Sequence, residues 1–475
     1  AQYGHALLCV GGRSIVKGFA KTTWSWLSVA PLTMQDYLEL PQAPTGWQRG
    51  DKIVIPDTRQ LRRDQDYWAA PEWEEHYVER VEGKRVFLQG PLLYNHFAGR
   101  DIKTGKLYYP FVENLSRNTI IRSENPVGVR GHTFCTDRCY VDWQYTAFID
   151  MGRTTIEALD TTEFDAEGEP TYVGGNTKAR YPGHLHMVSG PRPGEPTPEG
   201  YQFLVRGCAV DGSPKWAFSF HNAHFGLVEQ NVGYNCDGAI WVVEQGNETG
   251  NTFLENAGIR SYGHLDAGDR GADRIDFGHE GSIWWIAGLG NRFQSNVGAN
   301  ARADFVNLYP FHEAIYSIPE QLPSFPGAET HVDGEFTIGP IRQKIAPLSF
   351  RDNTGFACGR GVFYWMIHND AHWYQDRTTL WNCQHAGIDS RYRGAVYLRD
   401  CEIVGDDDIR AESSNRAAGI FSADGAPFTL ENCRIIGYAV GIMVTSNEDL
   451  AVTGGTLANT VDVEMYPARN SHPVR

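Results

Sequence analysis

His184 and His186 stand two residues apart in Arg180-Tyr-Pro-Gly-His-Leu-His-Met-Val188, and Phe218-Ser-Phe-His-Asn-Ala-His224 adds His221 and His224. On a β-strand, residues two apart point to the same side, so His184 and His186 would present two imidazoles together. Gly131-His-Thr133 contributes His132, and Val242-Val-Glu244 contributes a carboxylate in similar apolar text. Imidazoles and a carboxylate converging on one face suit a divalent transition metal such as zinc, with copper, manganese or iron also able to bind. Calcium prefers all-oxygen ligands. We therefore expect a metal at His132, His184, His186 and His221. An open coordination position would polarise a glycosidic or carboxylate oxygen, or activate water. Without a metal, His184 or His186 is a candidate general base or acid, because imidazole titrates near neutrality.

Around this set, Tyr181 is a candidate proton donor, and Glu244 joins the histidines as a catalytic candidate. Arg180 and Lys215 flank the histidine strands and suit a uronate carboxylate, Arg with bidentate geometry. Trp216 offers an aromatic platform for a sugar ring, and His224 extends the same substrate-binding group. Each of these residue types is more often simply a surface group. The polar cluster His264, Asp266, Asp269 and Asp273 is a weaker ion-site candidate, and His368 and His372 with Trp373 and Tyr374 could extend a groove. Glu74-Glu-His76 reads as a solvated edge.

Residues this far apart in sequence meet only if the chain stacks short strands. The second half repeats such a unit: Ala395-Val-Tyr-Leu-Arg-Asp-Cys-Glu-Ile-Val404, then Phe428-Thr-Leu-Glu-Asn-Cys-Arg-Ile-Ile436. Earlier, Asn251-Thr-Phe-Leu-Glu-Asn256 and Asn291-Arg-Phe-Gln-Ser-Asn-Val297 carry the same phrase. Self-similarity at about twenty to thirty residues points to a solenoid, whose coils bury their faces only against one another. The fold class expected is all-β: a right-handed single-stranded parallel β-helix over 115–475, with Asn residues stacking as amide ladders at the turns. Loop insertions are expected near 160–200 and 310–342. Residues 1–114 read as a small β-rich N-terminal domain that caps or opens the solenoid. A β-sandwich is the competing architecture.

Composition fits. Of 475 residues, 41% are hydrophobic, ample for a core, and the 51 glycines suit a chain that turns often. The net charge of −16 argues against a nucleic-acid partner, which needs a basic face. No apolar run approaches the ~18 residues of a membrane span, and the first ten residues are too short and uncharged for a signal peptide. Among nine cysteines, Cys135 and Cys139 are near enough to pair; Cys236, Cys383, Cys401 and Cys433 sit in strand-like text as buried thiols.

Gly46-Trp-Gln-Arg-Gly-Asp-Lys-Ile-Val-Ile-Pro-Asp-Thr58, Pro91-Leu-Leu-Tyr-Asn-His96 and Asn114-Leu-Ser-Arg-Asn118 resemble the domain named for its eight glycines. Tyr181-Pro-Gly-His-Leu-His186, His221-Asn-Ala-His224 and Val243-Glu-Gln-Gly-Asn-Glu-Thr-Gly-Asn251 resemble the β-helix that follows it in the cell-migration-inducing hyaluronan-binding protein and fibrocystin-like family. The resemblance implies an extracellular β-helix and, for some members, hyaluronan binding or depolymerisation. There are departures: Ala239 stands where the family often has His, and Glu-Gln-Gly follows Val243 where Glu-Asp-Gly is expected.

The leading function is thus a secreted, extracellular or periplasmic, enzyme that depolymerises an acidic, uronate-containing polysaccharide, as a lyase or a glycoside hydrolase. Elimination needs the uronate charge neutralised, a base for the C5 proton and an acid for the leaving oxygen. Hydrolysis favours a carboxylate pair, for which Glu244 with Glu248 is the candidate. Two alternatives stand: a non-catalytic polysaccharide-binding or adhesive solenoid, with Trp216, Trp241, Trp284, Trp285 and Trp365 stacking on sugars, and a metal-dependent oxidative enzyme.

Overall fold

Alternating apolar residues in strands of three to six residues wind into three long parallel sheets, one of twelve strands and two of eleven. The computed structural model describes residues 5–62, 65, 69–188, 190–191, 194–246, 248–264, 277–309, 349–365, 373–391, 394–410, 416–423, 427–445 and 449–466. The expected 310–342 insertion, Asp266, Asp269, Asp273, His368 and His372 lie outside them.

Each rung places one strand in each sheet. Gly183–Val188, Phe203–Arg206 and Ala209–Ser213 form one rung; Phe218–His221, Leu227–Glu229 and Val232–Cys236 form the next. Inward-facing side chains stack along the axis, as in Phe218, Trp241 and Trp284, whose ring centroids are 5.0 and 5.5 Å apart. Burying each such ring is worth roughly 2–3 kcal/mol, and no strand this short could do so alone.

The corner from the second sheet to the third is turned by one residue with positive φ on successive rungs: Tyr145, Gly207, Gln230, Glu255, Ser295, Asp352, Arg377, Asp400 and Asn432. Gly207 is the one glycine among these positions up to Asn432, and the Tyr145 ring occupies the space a Cβ there would need. Just after this corner, Asn231, Asn256, Asn296 and Asn353 form the expected ladder. Each Nδ2 donates to the next Oδ1 at 2.9, 3.0 and 3.1 Å, and each of those Oδ1 atoms also accepts the backbone N–H of the preceding Asn.

The solenoid starts earlier than the 114/115 boundary. Ala6–Val10 pairs with His132–Asp137, Arg13–Lys17 with Tyr140–Gln144, and Thr119–Arg122 with Thr146–Ile149, all parallel. Residues 6–17 and 119–122 are therefore one rung, interrupted between its second and third strands. The interruption holds a six-stranded antiparallel sheet, and its two ends meet where Phe19 N donates to Asn118 Oδ1 at 2.7 Å.

Nor does this small domain cap an end. It lies along the outer face of the third sheet, where Val54, Tyr108, Phe111 and Leu115 pack against Ala147, Ala209, Val232, Ala257, Ala299 and Val404. Polar contacts follow the same flank: Lys52 Nζ to Asp211 (2.9 Å), Tyr234 OH to Glu75 Oε1 (2.7 Å), and Gln60 Nε2 to Cys383 O (2.8 Å). Glu74 is not a solvated edge. It is 5% exposed and accepts from His76, His96 and the Leu93 and Tyr94 amides. Burial opposes its ionisation, but those hydrogen bonds hold its pKa well below the usual carboxylate range.

Within 160–200, Glu163–Phe164 and Pro170–Tyr172 form a hairpin outside the coil, whereas Gly183–Val188 is a strand of the first sheet. All nine cysteines are free thiols; Cys139 donates to Thr136 O rather than pairing with Cys135.

Candidate active site

Leu185, Phe220 and Val243 point into the core, so His184, His186, Ser219, His221 and Glu244 point to the outer face of the first sheet. Register sets His184 beside Ser219 and His186 beside His221, and the Phe220–Val243 pair carries His221 to Glu244. The His186 and His221 ring centroids are 4.6 Å apart, those of His184 and His186 5.3 Å. His221 Nδ1 lies 3.3 Å from Glu244 Oε1, and the Ser219 hydroxyl donates to Glu244 Oε2 at 2.6 Å.

His184, His221 and Glu244 each offer one ligand atom, all within 4.8 Å of one another. His184 is fully buried; its Nδ1–H donates to Ala179 O at 3.2 Å, which leaves the Nε2 lone pair unshared with any atom of the described residues. A backbone acceptor behind one ring nitrogen is how proteins orient a histidine whose other nitrogen binds a metal. Phe134 stacks on His186 (4.9 Å) and meets His184 edge-on (5.1 Å). The exposed Met187, at φ +54°, is skipped by the register between Thr136/Asp137 and His186/Val188, a bulge that re-aims the strand beside the site.

Electrostatics separates the groups. Burial, then the His186 charge, pushes the His184 pKa well below its ordinary value. Burial, then His221, brings His186 down to about 4. His221 is also buried, yet Glu244 and Glu248 raise it above its ordinary value. Burial opposes the Glu244 charge, and His221, His184 and Ser219 overcome it, so Glu244 is held well below the usual range.

The other expected residues sort differently. His132 sits on the neighbouring strand, but the Cys135–Leu185 register puts it level with Pro182, outside the three-ligand group. Burial, Arg180 and Arg153 bring its pKa to about 3, an environment hostile to a cation. His186 borders the group without being one of its three ligands. Tyr181 is buried with its ring 5.1 Å from His184. Trp216 is no sugar platform: it is 2% exposed, with Tyr181 at 4.4 Å and Phe277 at 5.6 Å on its ring, and its Nε1 donates to Gly278 O. Lys215 is buried against the same ring, and Arg180 and His224 are buried as well, so none presents an open binding surface. Trp241 and Trp284 are core, Trp285 is covered by Phe277, and Trp373 is core with Tyr374 stacked on Tyr397 in the second sheet.

Glu248 is tied by backbone amides of Asn222, Gln245 and Gly246 at 2.8–2.9 Å, a structural role rather than that of a second catalytic carboxylate. Sequence reasoning missed Ser219 and Phe134 as site residues. Both were within reach of the two-residue period, one preceding His221 and the other following His132.

Residues 158–322 match the family model described as CEMIP beta-helix. The matched stretch includes His184, His186, His221 and Glu244. The chain is 26% identical to human (Homo sapiens) Fibrocystin-L over 267 residues, 50% of this chain and 6% of that protein. It is 25% identical to the Cell surface hyaluronidase of Danio rerio over 325 residues, 62% of this chain and 22% of that protein. It thus spans only a small part of the curated relatives it matches. Among solved structures it is similar to the Gp54 tailspike of Acinetobacter baumannii bacteriophage AP22, in complex with A. baumannii capsular saccharide, at 10% identity and a TM-score of 0.26. That match covers 98% of this chain and 68% of the tailspike.

Proposed function

We propose that this chain cleaves an acidic, uronate-containing polysaccharide outside the cell, at a divalent transition-metal site formed by His184, His221 and Glu244. The observation that carries the reading is the convergence of three ligand atoms within 4.8 Å on the outer face of a rigid solenoid, with the His184 tautomer set by Ala179 O. One imidazole lone pair, a second imidazole and a carboxylate are the donor set of zinc-like ions. The Danio rerio relative, by its name a cell-surface hyaluronidase, supports a uronate polymer and an extracellular location. No helix among the described residues is long and apolar enough to cross a membrane.

When bound, the cation supplies Lewis acidity toward the uronate carboxylate. His186, with its pKa near 4, is neutral at pH 7 and stands beside the ligands as the base for the C5 proton. To Tyr181, whose ring lies beside His184, we assign the protonation of the leaving oxygen. In that elimination the C5–H and C4–O bonds break, the C4–C5 double bond forms, and the leaving sugar takes the proton. Hydrolysis by a carboxylate pair has weaker support because the backbone amides occupy Glu248.

The test is hyaluronan and other uronate polymers incubated with purified chain, reading chain length, reducing ends and unsaturated-uronate absorbance together. Alongside it go elemental analysis and a His184→Ala, His221→Ala variant. Stoichiometric metal, and at least about a hundredfold loss in the variant, are expected. Full activity in the variant overturns the site. Binding of these polymers without cleavage makes the protein a binding module.

A further inference from the structure

On the opposite side of the rung, between the inserted domain and the solenoid corner, a cleft of about 710 Å³ opens. Its floor is built from the positive-φ corner residues Tyr145, Gln230, Glu255, Ser295 and Asp352. The corners from Tyr145 to Asp352 span six rungs, so the floor runs along the helix axis for roughly 24 Å. Trp24 and Trp26 of the inserted domain form the facing wall, both half-buried.

Those two rings are held before any ligand arrives. They meet edge to face at 5.7 Å, both pack on Phe111, and Trp24 Nε1 donates to Glu255 O at 2.7 Å across the domain junction. Between wall and floor the lining carries the hydroxyl and amide groups of Thr22, Ser25, Thr45, Thr354 and Gln230, beside Ala20, Pro41 and Val297. Fixed aromatic faces beside a row of neutral hydrogen-bonding groups form the chemistry that recognises a pyranose, apolar on its C–H face and hydroxylated at its edge.

Charge decides which sugar. Lys21, the one cation among the described lining residues, is paired with Asp51 at 2.7 Å. Asp352 is bridged by Arg377 at 2.7 and 2.9 Å, and Glu255 accepts from Gln230 at 3.0 Å. Among the described lining residues the cleft therefore offers no unpaired cation for a uronate, and the Glu255 carboxylate would repel one. We infer that this cleft is a saccharide-binding site for a linear, uncharged oligosaccharide. It is separate from the histidine site and does not rest on the catalytic reading given above.

Titration of the full chain with chitotetraose and cellotetraose, read by calorimetry and by saturation-transfer NMR, tests this directly. One of the two should bind, and Trp26→Ala should weaken it by about tenfold, with His184→Ala leaving it unchanged. Because Trp24 and Trp26 also pack on Phe111, Thr354→Trp, which fills the cleft from the solenoid side, serves as the second variant and should abolish binding. Binding of neither sugar to the wild type overturns the inference. So does binding that survives in both Trp26→Ala and Thr354→Trp, or that is lost in His184→Ala.

Discussion

At the residue scale, a proton and a cation compete for the same atoms. Glu244 and Glu248 raise the His221 pKa, so metal capture must displace a proton when His221 carries one. Affinity should therefore fall as pH drops, with proton release visible when calorimetry is repeated in buffers of different ionisation enthalpy. Ser219→Ala removes the hydrogen bond that steadies Glu244 and should cost about tenfold or more in metal affinity, measured by competition with a chelating dye. His132 makes a separate prediction. Its pKa is depressed to about 3 in the folded chain, so below its unfolded value near 6.5 the unfolded chain takes up a proton that the folded one refuses. Stability from this group is intact above that pH and is lost as pH falls, by about 2 kcal/mol between pH 6.5 and 5. His132→Phe should flatten that part of the melting-temperature profile.

At the element scale, the Asn ladder is the feature most open to measurement. Asn256 Nδ2 donates to Val228 O and Asn296 Oδ1, while its own Oδ1 accepts from Asn231. Asn256→Ala leaves several buried groups unpaired and should lower unfolding free energy by ~3 kcal/mol in denaturant titration. This ladder was legible in the sequence because the Asn-bearing phrase recurs at rung length. The two-residue period likewise put His184, His186 and His221 on one face, with Glu244 in the next rung. What sequence could not supply was the phase of each strand. His132 has the right period but stands level with Pro182, two residues short of His184, so it faces arginines instead of the ligands. Trp216 and Lys215 read as surface groups, since nothing local shows that Tyr181 and Phe277 would fold over them.

At the scale of the whole molecule, the boundary placed at residue 114 failed for a topological reason. A rung split by a hundred residues has no periodic signal on its short first half, and Ala6–Lys17 alone looks like any pair of strands. The alanines and valines on the outer face of the third sheet were a sign that something must cover it. Because the ends of the insertion touch at Phe19 and Asn118, replacing 20–117 with a short linker should keep the rungs while uncovering that face. The shortened chain should bind a hydrophobic dye and self-associate, which light scattering would show; a monodisperse product with no dye binding would contradict the packing described here.

The packing of the inserted domain should also have a mechanical consequence. It grips rungs from Ala147 to Val404 along one flank, as a splint holds a spring. Coils otherwise free to twist against their neighbours are locked in pitch along that length, and a pulling experiment should find one large yield event, when the splint tears away, before the rungs peel off one by one.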